Sequence, residues 1–180
     1  MLQIGGRRLH IANLQRPRVR TVVTNQSIVL REATTADIPT LLALVHTAFA
    51  EYQGQLDPPS GAHNETAETL SEALHSGSAG VACLDSEIVG CVFYSPKDQY
   101  LYIGRLSVLP ASRRFGVGKG LMRYAEQRAR DLGFRRVQIG VRIALPHLHA
   151  YYESLGYTRV RDEAHRGYAR PTYIVMEKET

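Results

Sequence analysis

Cysteine is scarce in this chain of 180 residues, long apolar runs are missing, and the first 26 residues contain no acid. Cys83 and Cys91 are too few for a disulfide framework and lack metal-ligand spacing. Both fall in apolar stretches that read as neighbouring strands, so they read as reduced core thiols. No apolar run reaches the ~20 residues of a membrane helix, and no apolar core of a secretory signal stands near the start. These absences point to a cytoplasmic protein with no membrane partner. The seven His residues show no H-x-x-x-H or H-E-x-x-H pattern, so no metal site is expected.

What is present is the composition of a soluble globule, 44% apolar and 22% charged, long enough for one domain. The net charge of +5 suggests a polyanionic partner until it is located along the chain. Arg7, Arg8, Arg16, Arg18 and Arg20 all lie in residues 1–26, leaving 17 basic groups against 17 acidic ones in residues 27–180. The body is neutral and only its leading arm is basic. Within the body, Arg105 to Arg142 holds ten Lys/Arg against Glu126 and Asp131 alone. A local basic cluster in a neutral domain favours a small polyanion over a nucleic-acid groove.

Residues 1–26 carry no sustained period and read as a basic arm or an extra strand. From there the pattern predicts a strand at Ser27–Glu32 and a helix capped near Thr34 that runs to about Tyr52. A second helix is expected at about Asn64–His75, after the Pro58-Pro59 loop. Strands are expected at Ala79–Leu84, Ile88–Tyr94 and Tyr100–Val108, then a helix at Gly116–Leu132 and a strand at Arg136–Val141. Pro146 opens a last helix, and Tyr157–Arg161 and Thr172–Glu177 close the chain as strands. The order βααβββαβαββ predicts one α/β domain over residues 27–180, a mixed, twisted sheet of about seven strands with helices on both faces. The strand at Arg136 should lie parallel to the one at Tyr100.

The chemistry concentrates at Leu106-Ser107-Val108 followed by Arg113-Arg114-Phe115-Gly116-Val117-Gly118-Lys119. A strand ends, a turn rich in Gly and Arg follows, and an amphipathic helix begins. Unpaired N–H groups and the helix dipole favour an anion there. Gly116 and Gly118 admit a bulky diphosphate, while Arg113, Arg114 and Lys119 can add charge-assisted hydrogen bonds. A Walker A loop is excluded because Gly120, not Ser or Thr, follows Lys119. The dinucleotide fingerprint fails because Gly116-x-Gly118-x-Gly120 is one residue short and the next strand ends in no acid.

The turn resembles motif A of the GNAT superfamily of N-acetyltransferases, Arg/Gln-x-x-Gly-x-Gly/Ala between a strand and a helix, which Arg113–Gly118 matches at every specified position. Leu106-Ser107-Val108 then Pro110 resembles the family's splayed strand, and Tyr151-Tyr152-Glu153-Ser154-Leu155-Gly156-Tyr157 its aromatic-Tyr-Glu-x-Leu-Gly-aromatic segment. The resemblance spans about Ile28 to Lys178. It departs at Arg114, where many relatives have Gly, and at Leu145, where many have Asn.

The resemblance implies a GNAT-like splayed sheet and acetyl transfer from acetyl-CoA, as co-substrate, to a primary amine, with no metal. It implies that Leu106, Ser107 and Val108 pair with the pantetheine arm. Arg113, Arg114, Phe115, Gly116, Val117, Gly118 and Lys119 would then form the pyrophosphate loop, and Tyr152 would protonate the leaving thiolate. No general base stands out among Glu51, Asp57, Asp98 and His165. Arg105 is read as binding an acceptor carboxylate or pairing with an acid. Acceptor selectivity is expected in the Asp57–His63 loop and the His165–Pro171 hairpin. A homodimer is a state known in families of this kind. Two rival readings are a CoA-binding regulatory module without turnover, which Leu145 favours, and a nucleic-acid binder acting through the basic arm, which the neutral body disfavours.

Overall fold

The computed structural model describes residues 27–180, and the expectation for residues 1–26 lies outside them. Strand β1 (Val29–Glu32) leads into helix α1 (Ile38–Phe49) through a turn organised by Asp37. Its carboxylate accepts from the Thr34 backbone N–H at 2.8 Å and from both terminal nitrogens of Arg31 at 2.7 and 2.8 Å. One acid thereby caps the helix start and ties it to the first strand.

The predicted helix to Tyr52 ends earlier. α1 stops at Phe49, and Ala50–Tyr52 tighten into a 3₁₀ turn. The second helix, α2 (Ala67–Ser76), begins later than the expected Asn64 because Thr66 and Thr69 cap it reciprocally, side chain to backbone, at 3.3 and 2.9 Å. Gly61–Asn64 form a separate 3₁₀ turn. The strands β2 (Ser78–Leu84) and β3 (Glu87–Pro96) meet at Asp85-Ser86, both with positive φ (48° and 70°), the backbone a two-residue hairpin needs to match strand twist.

Next come β4 (Leu101–Val108), α3 (Val117–Asp131), β5 (Arg136–Arg142), α4 (Pro146–Ser154), β6 (Thr158–Glu163) and β7 (Tyr173–Glu179). The seven strands form one sheet in the order β1-β2-β3-β4-β5-β7-β6, with β4 and β5 the parallel pair. This is the expected mixed α/β architecture with the expected crossover.

Two apolar clusters occupy opposite faces of the sheet. On one, α1 and α2 bury Leu41, Val45 and Leu70 against Val81, Cys91 and Phe93. On the other, α3 buries Val117, Leu121, Met122, Ala125 and Ala129 against Val92, Ile103, Val137 and Ile139. The α3 residues recur at helical spacing, so one stripe of the helix meets the sheet. Glu126 shares that buried stripe and is satisfied there: Lys178 pairs with it at 2.8 Å and the Tyr157 hydroxyl donates to it at 3.1 Å. Cys83 and Cys91 are both buried and free, and burial pushes the Cys91 thiol up to about 12, which suits a packing role.

Candidate active site

The parallel pair β4 and β5 is hydrogen-bonded only from Leu101 to Ile103, against Val137 to Ile139. Beyond that the two strands part. Register between β3 and β4 slips by one residue between Cys91 and Phe93, so β4 bulges there, and Arg105 in the bulge has a φ of 49°. The β4 edge from Gly104 to Val108 therefore faces β5 without a strand partner. A cleft of about 750 Å³ opens at this parting. Residues of both sheet faces line it, Ile103, Met122 and Tyr152 from one side and Gly104, Arg105 and Arg142 from the other. The cleft thus passes through the sheet.

At one mouth stands the N-terminus of α3. Gly116 sits at its cap with a φ of 80°, a conformation that glycine adopts without strain, and no side chain caps the helix. The first-turn N–H groups of Val117, Gly118 and Lys119 are the ones an α-helix leaves without internal partners. Gly118 spares this turn a tight contact. A Cβ there would lie 3.1 Å from the Tyr151 hydroxyl and 3.8 Å from Val108 Cγ2. Arg114 also has positive φ (71°), which explains why a relative would carry glycine at this position.

The loop residues divide in a way the motif did not reveal. Arg113 is committed to protein: its Nη2 donates to Glu51 at 2.6 Å and to the Ala48 carbonyl at 3.2 Å, and its Nε to the Val108 carbonyl at 3.3 Å. It straps the end of α1 to the end of β4. Arg114 and Lys119 remain exposed on the cleft without a hydrogen bond among the described residues. Leu106, Val108, Gly116, Val117 and Gly118 line the cleft. Phe115 does not: 69% exposed, it points to solvent at the loop tip. The Ser107 side chain is buried on the far side of the strand, its hydroxyl donating to the Arg105 carbonyl at 3.1 Å, so only its backbone is at the parting.

Tyr152 lines the cleft from α4, edge-on to Tyr151 and Tyr157 at centroid distances of 5.2 and 5.9 Å. Burial pushes its phenol well above the ordinary value, and its hydroxyl makes no hydrogen bond among the described residues. A protonated, unpartnered phenol in a cleft is chemically able to donate a proton. Tyr151 and His147 line the same wall. The sequence marks Tyr151 only as part of its aromatic segment and does not mark His147, although the helical interval from His147 to Tyr151 was a usable signal.

A family model of acetyltransferases of the GNAT family matches residues 43–157. The chain belongs to that family. It is an acyltransferase. Comparison with curated proteins gives no match. Among solved structures the fold resembles Ard1 from Thermoplasma volcanium, with a TM-score of 0.70 at 19% identity over 84% of this chain and 97% of that one. It also resembles the PaiA N-acetyltransferase of Thermoplasma acidophilum, solved in complex with coenzyme A, with a TM-score of 0.70 at 20% identity over 86% and 99%. The ribosomal-protein-S18-alanine N-acetyltransferase of Escherichia coli gives 0.68 at 16% identity over 85% and 94%.

In this GNAT acetyltransferase the candidate bases scatter. Glu51 lines the cleft, but the Arg113 guanidinium holds its carboxyl below the usual range and occupies it. Asp57 accepts from the Tyr168 hydroxyl, which joins the two loops expected to govern selectivity. Asp98 precedes β4, whereas the cleft opens at the other end of that strand. His165 packs edge-on against Tyr173 at 4.9 Å, and burial lowers its pKa. Arg105 pairs with Glu65, a buried acid that no sequence signal marked, whose second oxygen accepts from Thr69 Oγ1 at 2.6 Å. Leu145 lines the cleft where many relatives have Asn.

Proposed function

We propose that this acetyltransferase moves the acetyl group of acetyl-CoA onto a primary amine by direct attack in a ternary complex. The observation that carries the reading is the cleft through the parted sheet, with an uncapped helix N-terminus at one mouth and Ser60 of the Asp57–His63 loop on its wall. The α3 amides, Arg114 and Lys119 hold the pyrophosphate. Backbone groups of Leu106, Ser107 and Val108 pair with the amides of pantetheine as an added strand would. Arg113 acts from behind, fixing the loop against α1.

The thioester supplies an activated acetyl group. The neutral amine nitrogen forms a bond to the carbonyl carbon, the carbon–sulfur bond breaks, and the nitrogen gives its extra proton to water. Tyr152 donates its proton to the departing sulfur and regains one from solvent. Holding the two reactants in one cleft supplies much of the rate, since it converts a bimolecular encounter into a local one.

The test is a calorimetric titration with acetyl-CoA, followed by incubation with a panel of amines while free thiol is monitored. Saturable binding with amine-dependent thiol release is the expected result. Binding without release from any amine makes the chain a CoA-binding module, and no association at ~1 mM ligand overturns the reading altogether.

A further inference from the structure

The acceptor mouth of the cleft presents two guanidinium groups with unused donors. Arg105 is pinned through Nε to the buried carboxylate of Glu65, and its two terminal nitrogens make no hydrogen bond among the described residues. Arg142 is the less satisfied of the two. Its Nη2 donates to the Pro58 carbonyl at 2.5 Å, while its Nε is enclosed without any acceptor. Arg142 forms no ion pair among the described residues, although both side chains line the cleft. Asp57 acts on it only from a distance, its own carboxylate receiving the Tyr168 hydroxyl.

A half-buried guanidinium with an orphaned nitrogen and no counter-ion costs stability and is uncommon in a folded protein. The acids that might neutralise this mouth are already engaged, Glu51 with Arg113 and Glu65 with Arg105 and Thr69. Burial already works against the charge, lowering the pKa of Arg142. What remains at the cleft is Nη1 of Arg142 together with the two terminal nitrogens of Arg105, charged donors that suit a carboxylate or phosphate. A polycationic acceptor would meet like charge here. Resting on the acetyl-transfer reading above, we propose that the acceptor is a small amine that also carries an oxyanion, carboxylate or phosphate, and that Arg142, with Arg105 beside it, binds that oxyanion.

The experiment uses the full chain with acetyl-CoA and matched acceptors. The proteinogenic α-amino acids are each compared with their neutral amides, phosphoethanolamine and O-phosphoserine provide the phosphate arm, and spermidine serves as the cationic contrast. At least one oxyanion-bearing amine should exceed its neutral counterpart by roughly 10-fold or more in kcat/KM, the scale of one lost charge-assisted contact. Which arm responds distinguishes carboxylate from phosphate. In Arg142→Gln that preference should collapse toward unity through KM, with acetyl-CoA affinity unchanged by calorimetry, and Arg142→Lys should retain part of it. Amides or spermidine used as well as the acids, or a preference intact in Arg142→Gln, overturns the proposal. Failure of every oxyanion-bearing amine while acetyl-CoA still binds also overturns it but leaves the cofactor reading standing; absence of acetyl-CoA binding overturns both.

Discussion

Tyr152 and Arg114 show how single residues divide between chemistry and backbone. The Tyr152 phenol is raised by burial and keeps its proton through the neutral range, so it is competent as an acid at every pH where the protein would work. Tyr152→Phe removes that proton and little else, because the hydroxyl has no partner to strand. The expected outcome is a fall in kcat of ~10²-fold with acetyl-CoA Kd nearly unchanged, measured by steady-state kinetics and calorimetry. Full activity in the variant would take Tyr152 out of the mechanism. Arg114 bears a cost that its neighbours do not, since φ of 71° puts a side chain in the left-handed region. Arg114→Gly relieves roughly 1–2 kcal/mol of strain, offset by ~0.5–1 kcal/mol of added chain entropy. A net gain of about 0.5–1 kcal/mol raises Tm by roughly 1–4 °C in a chain of this size. Loss of its charge should at the same time weaken acetyl-CoA several-fold, so stability and affinity move in opposite directions. A scanning melt and a titration on the same preparation check both.

At the scale of elements, the site is made where β4 ends and α3 begins, and that junction tolerates little change. Gly118 faces the Tyr151 hydroxyl at the uncapped helix end, so Gly118→Asp sets a carboxylate where the proposed reading puts the pyrophosphate and crowds Tyr151. Acetyl-CoA binding should be lost in calorimetry, while the far-UV dichroism stays that of the parent; unchanged affinity would refute the loop assignment. The strand–loop–helix order was readable because apolar spacing and glycine positions are local properties. The type and order of the described elements followed from the same signals. What the sequence could not disclose depends on distant partners. Arg113 reads as a phosphate ligand from its motif, yet Glu51 lies 62 residues away and claims it. Arg105 was readable only as an even choice between an acceptor carboxylate and an acid, and the acid, Glu65, is 40 residues upstream on another element. Phe115 falls inside the motif but outside the cleft because loop twist, not sequence position, decides which side chains turn inward. The bulge at Arg105, which creates the parting, puts its positive φ on the arginine rather than on the neighbouring Gly104, so the glycine does not mark the bulged position.

Across the whole molecule, several of the ties between elements are ionic, and these share one sign of pH response. Arg31 hydrogen-bonds Asp37 and holds its carboxyl far below the usual carboxylate range, joining β1 to the start of α1. Arg113 lowers Glu51, joining the end of α1 to the turn before α3. The Tyr173 hydroxyl and then Arg161 lower Glu163, joining β6 to β7. His165 is lowered as well, chiefly by burial and then by the charge of Arg142. Each group therefore binds protons more readily when unfolded than when folded, so folding stability rises with pH through its titration. The sign is the same for the imidazole as for the carboxylates, because burial favours its neutral form. Stability is in full force above the unfolded pKa values, about 6.5 for His and about 4 for the acids, and falls as pH drops below them. The window opens near pH ~6.5 with His165 and deepens below ~4.5 as the carboxylates begin to protonate. Thermal melts at steps between pH ~7 and ~3.5 should show Tm declining in two stages, the second the steeper. Asp37→Asn removes one contributor: it should lower Tm at neutral pH, where the Arg31 pair and the helix cap are lost, and flatten the acid limb relative to the parent. The Arg31 side chain is 43% exposed, so added salt should narrow the neutral-pH gap between the two proteins. A variant whose Tm runs parallel to the parent over the whole range would show that the Asp37 tie contributes nothing to acid sensitivity and that the pH response resides in the other groups.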